Sequence, residues 1–303
     1  MPRRRAVILL NPRSRSGGTV PIGRLLEPFH EAGWSVELWA GDGIDWTYSA
    51  ALRAREMGVE AIFGAGGDGV LAHILPAILN TNIALGVVPL GTGNVWAREL
   101  RLPLDPRRAI ATQLSAPPNR VDVGLANQRP FLVIASVGLD ARIVELVESD
   151  TGAKALGQLA YPLAGLALAS GMRGTPTRVW LNDDEPVDLV LLAGIVTNGQ
   201  LYGGVVPMVP QARIDDGELD AALFVGGGPL EATAHAARVL AGWHQARSDV
   251  VMRKVTRARF ESLGPPLPIQ ADGDLLGTTP LNVEVRPSAL LAFGVSQTNR
   301  PIE

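Results

Sequence analysis

Two glycine turns stand one helix and one strand apart in this chain. Gly66-Gly67-Asp68-Gly69 follows the apolar run AIFGA, and Pro89-Leu90-Gly91-Thr92-Gly93-Asn94 follows IALGVV. Glycine lets a backbone bring bare N–H groups to an oxyanion. The spacing predicts φ > 0 at Gly66, Gly67 and Gly69, with the positive end of the next helix's dipole behind them. The second turn is expected to face the first from the carboxyl end of the neighbouring strand, so that the two describe one phosphate cleft. Asp68 differs in kind. A carboxylate inside a phosphate cradle repels its ligand unless a divalent cation lies between them, which predicts a magnesium-nucleotide position. Gly64, Gly66 and Gly69 also match GxGxxG, but they follow the third strand of the chain. No Asp or Glu lies about 20 residues further on to hold a ribose, so a dinucleotide site is disfavoured. A single glycine turn is usually a strand-to-helix corner; two paired turns around an acid favour phosphate.

The elements that must hold these turns alternate. Strands are read at AVILL, SVELWA, AIFGA and IALGVVP, and helices over Pro21 to Ala32, Trp46 to Met57, Gly69 to Leu79 and Pro106 to Leu114. Such alternation predicts right-handed βαβ units and a parallel sheet covered on both faces. Pro117-Pro118 marks a boundary. Residues 1–118 are therefore read as a nucleotide-binding α/β domain. Residues 119–287 change to strands joined by polar turns, among them NDDE after Leu181 and Gly273-Asp274. That half is expected to be an antiparallel β-sandwich with helices near 140–148, 155–170 and 229–245.

Composition narrows the classes. The 303 residues are 47% apolar, enough for two cores, and 27 basic against 30 acidic residues give no long-range attraction for nucleic acid. Without cysteine there is no disulfide, thiolate nucleophile or cysteine metal site. His30, His73, His235 and His244 form no HExxH. Arg3-Arg4-Arg5 followed by AVILL is too short for a secretion signal and is read as a first buried strand. The apolar stretch from Ala153 to Ser170 is broken by Lys154, Gln158 and Pro162, so it is read as a core or interfacial helix instead of a membrane span.

The order of motifs resembles the diacylglycerol kinase catalytic family, which includes bacterial lipid kinases, sphingosine kinases and ceramide kinases. Its pieces are Asn11-Pro12 with Ser16-Gly17-Gly18, GGDG at 66–69, PLGTGN at 89–94 and Ala97-Arg98 before LRLPLDP. Further along come VDVG at 121–124, SVGLDA at 136–141, NGQLYGGVVPMVPQARIDDGELD at 198–220 and ADGD at 271–274. The resemblance implies an N-terminal domain similar to those of NAD kinases and 6-phosphofructokinases, and a C-terminal β-sandwich. It also implies that the segment from 288 to 303 returns to the first domain. The implied activity is transfer of the γ-phosphate of ATP, with Mg2+, to a lipid hydroxyl in the cleft between the domains. Residue by residue, it implies ATP contacts from Asn11, Gly66, Gly67, Asp68, Gly69, Thr92 and Asn94. Asp68 and Asp122 would join the magnesium and water network with Arg98 nearby. A structural magnesium site would use Asp216 and the carbonyls of Arg213 and Glu218. Asp274 stands where the family has a Glu base. The implied partner is a lipid presented at a membrane surface to a cytoplasmic, peripherally attached enzyme; a homodimer stays open.

The chain departs from the family pattern at Val70, Ala72 and His73 after GGDG, at Val95 after GTGN, and at Asp274. Around Ala40-Gly41 the family's nucleotide-contacting Thr is not evident. Each change removes polar capacity near the phosphates. Two other readings therefore stand beside the lipid kinase. One is a catalytically impaired nucleotide- or lipid-binding homologue acting as a sensor or partner; the other is a soluble kinase of NAD or a sugar phosphate.

Overall fold

The computed structural model describes residues 3–14, 17–18, 20–149, 160–245 and 247–295. Ser16, the start of the helix expected at 155–170 and the chain beyond 295 lie outside them. By its contacts the chain divides into two units. One runs to Asp122 and takes up the chain again from Ser288; the other runs from Val123 to Pro287.

The first unit is built on β1 (Arg5–Leu10), α1 (Ile22–Glu31), β2 (Ser35–Ala40), α2 (Ile44–Glu56), β3 (Ala61–Gly66), α3 (Asp68–Ile78), β4 (Ala84–Pro89), α4 (Val95–Glu99) and α5 (Pro106–Leu114). β1, β3 and β4 are near-continuous apolar runs because both faces of a parallel sheet are covered. The strands lie in the order β2-β1-β3-β4, all parallel. Leu10 pairs with Ala65 and Gly66 with Pro89, so the carboxyl ends of β1, β3 and β4 finish level with one another. That edge presents Asn11 and both glycine turns together. Leu291 and Ala292 then run parallel to Ala84 and Leu85. Phe293 follows them into the core, stacked 5.4 Å from Phe63, whose other neighbour is Phe29 at 4.7 Å. Gly86 makes room for the Phe63 ring: a Cβ there would lie 2.3 Å from it.

The second unit is antiparallel. β5 (Asn119–Ala126) carries the chain out of the first unit and pairs with β6 (Arg129–Phe131). β7 (Ile134–Gly138) leads into α6 (Leu139–Ser149) and α7 (Ala160–Ala169). Next come β8 (Thr175–Leu181), β9 (Val187–Thr197), the short pair β10 (Leu201–Tyr202) and β11 (Val206–Pro207), and β12 (Leu219–Val225). α8 (Pro229–Ala241), β13 (Val250–Val255), β14 (Arg257–Ser262), β15 (Pro268–Ala271), β16 (Asp274–Thr278) and the first part of β17 (Leu281–Ala292), which from Ser288 belongs to the first unit, complete it. β9 is the hub, pairing with β7, β8 and β12. The hairpins expected at NDDE and at Gly273-Asp274 are the β8–β9 and β15–β16 turns. One apolar cluster, with Phe131, Phe260 and Leu281 at its centre, fills the sandwich. A second, around Ile143, Met208 and Phe224, lies beneath α6, α7 and α8. Among the described residues no helix is long and apolar enough to cross a membrane.

Candidate active site

The glycine turns meet in van der Waals contact. A Cβ added at Gly91 would lie 2.3 Å from the Cα of Gly67 and 2.9 Å from its nitrogen. The Gly91 N–H donates to the Gly66 carbonyl at 3.0 Å, as does the Leu90 N–H. The predicted left-handed backbone is not what the glycines serve: Gly66, Gly67 and Gly69 are absent from the positive-φ residues, and Gly67 has φ −89°. Close approach of the two backbones requires Gly91 instead, whereas a Cβ at Gly67 would stand 3.5 Å from the Gly91 Cα, an ordinary contact. The residue that does adopt a left-handed conformation is Asn94, at φ 48°. Its amide closes the second turn, accepting from Gly91 N–H and donating to Gly91 carbonyl, both at 3.0 Å.

In front of these turns lies a cleft of about 350 Å³, within the roughly 300–1,000 Å³ usual for small-molecule sites. Four segments wall it: Asn11, Arg13 and Ser14 after β1; Gly43, Ile44 and Thr47 at the start of α2; Gly67, Gly69, Val70 and His73 along the first turns of α3; and Gly91 and Thr92. The N-terminus of α3 therefore faces the cleft, where orphan N–H groups and the helix dipole favour an anion. Asn11 shapes its wall, its side-chain oxygen accepting from Arg13 N–H at 2.9 Å and its carbonyl from the Ser14 hydroxyl at 2.8 Å. The α2 contribution escaped the sequence reading, which looked for a threonine beside Ala40-Gly41. The threonine that α2 brings to the cleft is Thr47, one turn into the helix, where its hydroxyl donates to the Gly43 carbonyl at 3.0 Å.

Of the nucleotide residues expected from sequence, Asn11, Gly67, Gly69 and Thr92 line the cleft, while Gly66, Asp68 and Asn94 are not part of its lining. Asp68 is half-buried and its Oδ1 accepts the Trp96 N–H at 3.0 Å, so the carboxylate caps α4 and ties the two turns together. Desolvation pushes its pKa up, partly offset by the N–H groups of Val95 and Trp96 and by the charge of Arg98. Of the departures, Val70 and His73 face the cleft, whereas Ala72 is buried in the core.

Asp122 is buried in the first unit, and its Oδ1 accepts the Ser288 N–H at 2.7 Å. Asp274 belongs to the second unit, at the start of β16, where it is ion-paired with Arg129. Its neighbour Asp272 holds the same turn: the carboxylate accepts the N–H groups of Leu132, Val133 and Ile134 at 2.6, 3.0 and 3.0 Å. Further along the second unit, Arg213 is ion-paired with Asp215 at 3.2 Å. Asp216 accepts the Glu218 N–H at 3.2 Å and is ion-paired with Lys254. Desolvation pushes the nearby Asp220 up to about 6, with Lys254 opposing and Asp216 and Glu218 adding to the rise. Among the described residues no cluster of three or more His, Cys, Asp or Glu side chains is arranged to hold a metal.

A feature that sequence reading missed is an apolar slot within the second unit, lined by Leu139, Ile143, Leu192, Met208, Phe224 and Val239. Asp140 and His235 also border it. Asp140 takes Ser136 Oγ and, at 2.8 Å, Gln270 Nε2 on one carboxylate oxygen, while its other oxygen is buried without a hydrogen bond. No local periodicity announces this slot, because its walls come from α6, α7, α8 and the strands β9, β10, β11 and β12.

Comparison with known proteins agrees with this architecture. The model of the diacylglycerol kinase catalytic domain matches residues 5–126, and that of the YegS C-terminal NAD kinase beta sandwich-like domain matches residues 133–294. A Chromohalobacter salexigens protein named "Probable lipid kinase YegS-like" is 31% identical, covering 89% of this chain and 86% of its own length. A diacylglycerol kinase of Mycobacterium tuberculosis is 27% identical over 93% of this chain and 92% of its own. The crystal structure of a diacylglycerol kinase from Bacillus anthracis superposes with a TM-score of 0.71 at 18% identity, covering 96% of both chains. A second Bacillus anthracis structure reaches 0.83 at 19% identity, over 96% of this chain and 94% of that one. At such identities the structures establish the fold alone.

Proposed function

The chain belongs to the diacylglycerol kinase catalytic-domain family, and from that premise we propose that it is a lipid kinase transferring the γ-phosphate of ATP to a hydroxyl of diacylglycerol or a related lipid. The observation that carries the reading is the contact of Gly67 with Gly91 at the level carboxyl edge of β3 and β4. It lays two backbone turns and a helix N-terminus along one cleft, a fitting cradle for a polyphosphate.

In this reading Gly67, Gly69, Thr92 and Asn11 bind the phosphates, and the α2 start with Thr47 bounds the nucleotide on the other side. Magnesium, arriving with ATP, supplies neutralisation of phosphate charge. In this reading Asp68, between the two glycine turns, would supply the carboxylate of this chain for that ion. Asp274 acts as the base: the lipid oxygen bonds to the γ-phosphorus, the bond to the β-phosphate bridging oxygen breaks, ADP leaves, and the lipid's proton passes to Asp274. Arg129 fixes the orientation of that carboxylate. The apolar slot under α6 and α8 takes part of the acceptor's hydrocarbon, a role that suits walls discriminating only weakly by a methylene or two. The lipid is met at a membrane surface.

The test is a transfer assay with γ-labelled ATP and mixed micelles of diacylglycerol, a sphingoid base or a glycolipid. Label in at least one lipid is expected. Mg-ATP binding without transfer to any acceptor, with ATP or GTP, would favour the impaired homologue.

A further inference from the structure

Asp216, Glu218 and Asp220 bring three carboxylates around the Lys254 ammonium at the start of β12. The strand register sets Lys254 of β13 directly opposite Asp220. Its Nζ is ion-paired with Asp216 and stands 3.6 Å from Glu218 Oε2 and 4.0 Å from Asp220 Oδ2. Both Asp216 oxygens are engaged: Oδ1 accepts the Glu218 N–H at 3.2 Å and Oδ2 holds the ammonium. The turn that delivers it is fixed by Gly217 at φ 81°. Asp220 is buried, so three negative charges this close need a cation for the hairpin to hold together.

We propose that the Lys254 ammonium is that cation, standing where the family resemblance implies a structural magnesium ion, so that the second unit folds without a divalent metal. The residues present do not fit a metal alongside the lysine. Magnesium demands about six oxygens at close to 2.1 Å in octahedral array, and a positive ammonium on Asp216 Oδ2 both blocks that ligand and repels the ion. A lysine delivered by strand register is permanent and independent of ion concentration. The chain's demand for magnesium would then be confined to the nucleotide. This inference does not rest on the proposed kinase activity, and its test involves none.

Thermal unfolding of the nucleotide-free protein decides it. The wild-type midpoint is expected to be the same in EDTA, in millimolar Mg2+ and in millimolar Ca2+. Lys254→Met should unfold several degrees lower in EDTA, because it leaves the carboxylates uncompensated, and should recover part of the loss with Ca2+ or Mg2+. Adding Asp216→Asn to that variant should remove the recovery. A wild-type midpoint that rises with divalent ions and ceases to do so in Asp216→Asn would overturn the proposal, since the metal would then bind despite the lysine. So would a Lys254→Met protein that unfolds like the wild type. Should Lys254→Met not fold in EDTA, its folding on addition of Ca2+ supports the proposal, and failure with either ion overturns it.

Discussion

Asp122, the last residue of the outgoing chain in the first unit, accepts the backbone N–H of Ser288, the first residue of the returning chain, at 2.7 Å. The clasp closes the first unit around the segment that delivers Phe293 to its core. Asp122→Ala should cost about 1–3 kcal/mol, the usual penalty for removing a buried acceptor, read as a lowered unfolding midpoint. Asp122→Asn keeps an oxygen for Ser288 and should unfold close to the wild type. If Asp122 also serves the magnesium and water network, the Asn variant loses turnover while keeping stability. Equal turnover in Asn and wild type would restrict Asp122 to the clasp.

Asp68 separates capping from charge in a similar way. Asp68→Ala removes the cap of α4 and should destabilise by about 1 kcal/mol. Asp68→Asn retains an acceptor for Trp96 N–H, so its defect should appear in Mg-nucleotide binding by calorimetry and not in folding. The pH dependence has a fixed sign. A carboxyl whose folded pKa lies above its unfolded value penalises folding at high pH, and the penalty fades as pH falls through the raised pKa. The Asn variant should therefore unfold at least as high as the wild type at pH 8, with the difference shrinking toward pH 4. A difference that grows on acidification would contradict the assignment.

Much of this was legible in sequence, and the misses share a cause. Alternating apolar runs and helical stretches fixed the parallel sheet, because β1, β3 and β4 are buried on both faces and read as uninterrupted hydrophobic segments. The left-handed backbone expected at Gly66, Gly67 and Gly69 is absent, and the constraint lies instead in the close approach of Gly91 to Gly67. Composition cannot separate a left-handed turn from a close approach. What stayed hidden depends on residues far apart in the chain: Lys254 on Asp216, 38 residues away, the three N–H groups on Asp272, and an apolar slot assembled from several elements. Thr47 was passed over because the expected position lay in the loop, whereas α2 begins at Ile44 and carries the residue inside the helix.

Gly91 and Gly69 make a contrasting pair. Gly91→Ala forces a Cβ to 2.3 Å from Gly67 Cα; backbones must part, at a cost of about 1–3 kcal/mol, and nucleotide affinity should fall at least tenfold. Gly69→Ala meets nothing within 4 Å and lies in the first turn of α3. It should leave the unfolding midpoint unchanged or raised, while the methyl group narrows the cleft and weakens ATP. Gly69→Ala binding ATP as tightly as the wild type would place the phosphates elsewhere.

In the β15–β16 turn the two acids should part company. Asp272→Ala strips the acceptor from three N–H groups and should destabilise the second unit by about 1–3 kcal/mol. Asp274→Asn should leave the midpoint within about 0.5 kcal/mol of the wild type, since the pair with Arg129 is partly exposed.

The most direct test of the whole account is phosphoryl transfer by Asp274→Asn and Asp274→Glu beside the wild type, with Mg-ATP affinity measured in parallel. The wild type is expected to label a lipid. The Asn variant should bind Mg-ATP with unchanged affinity and lose nearly all transfer, because an amide cannot take the acceptor's proton. The Glu variant, carrying its carboxylate one methylene further, should retain or raise it. Transfer by the Asn variant at the wild-type rate would contradict the assignment of the base, and no lipid labelling by any of the three would contradict the kinase itself.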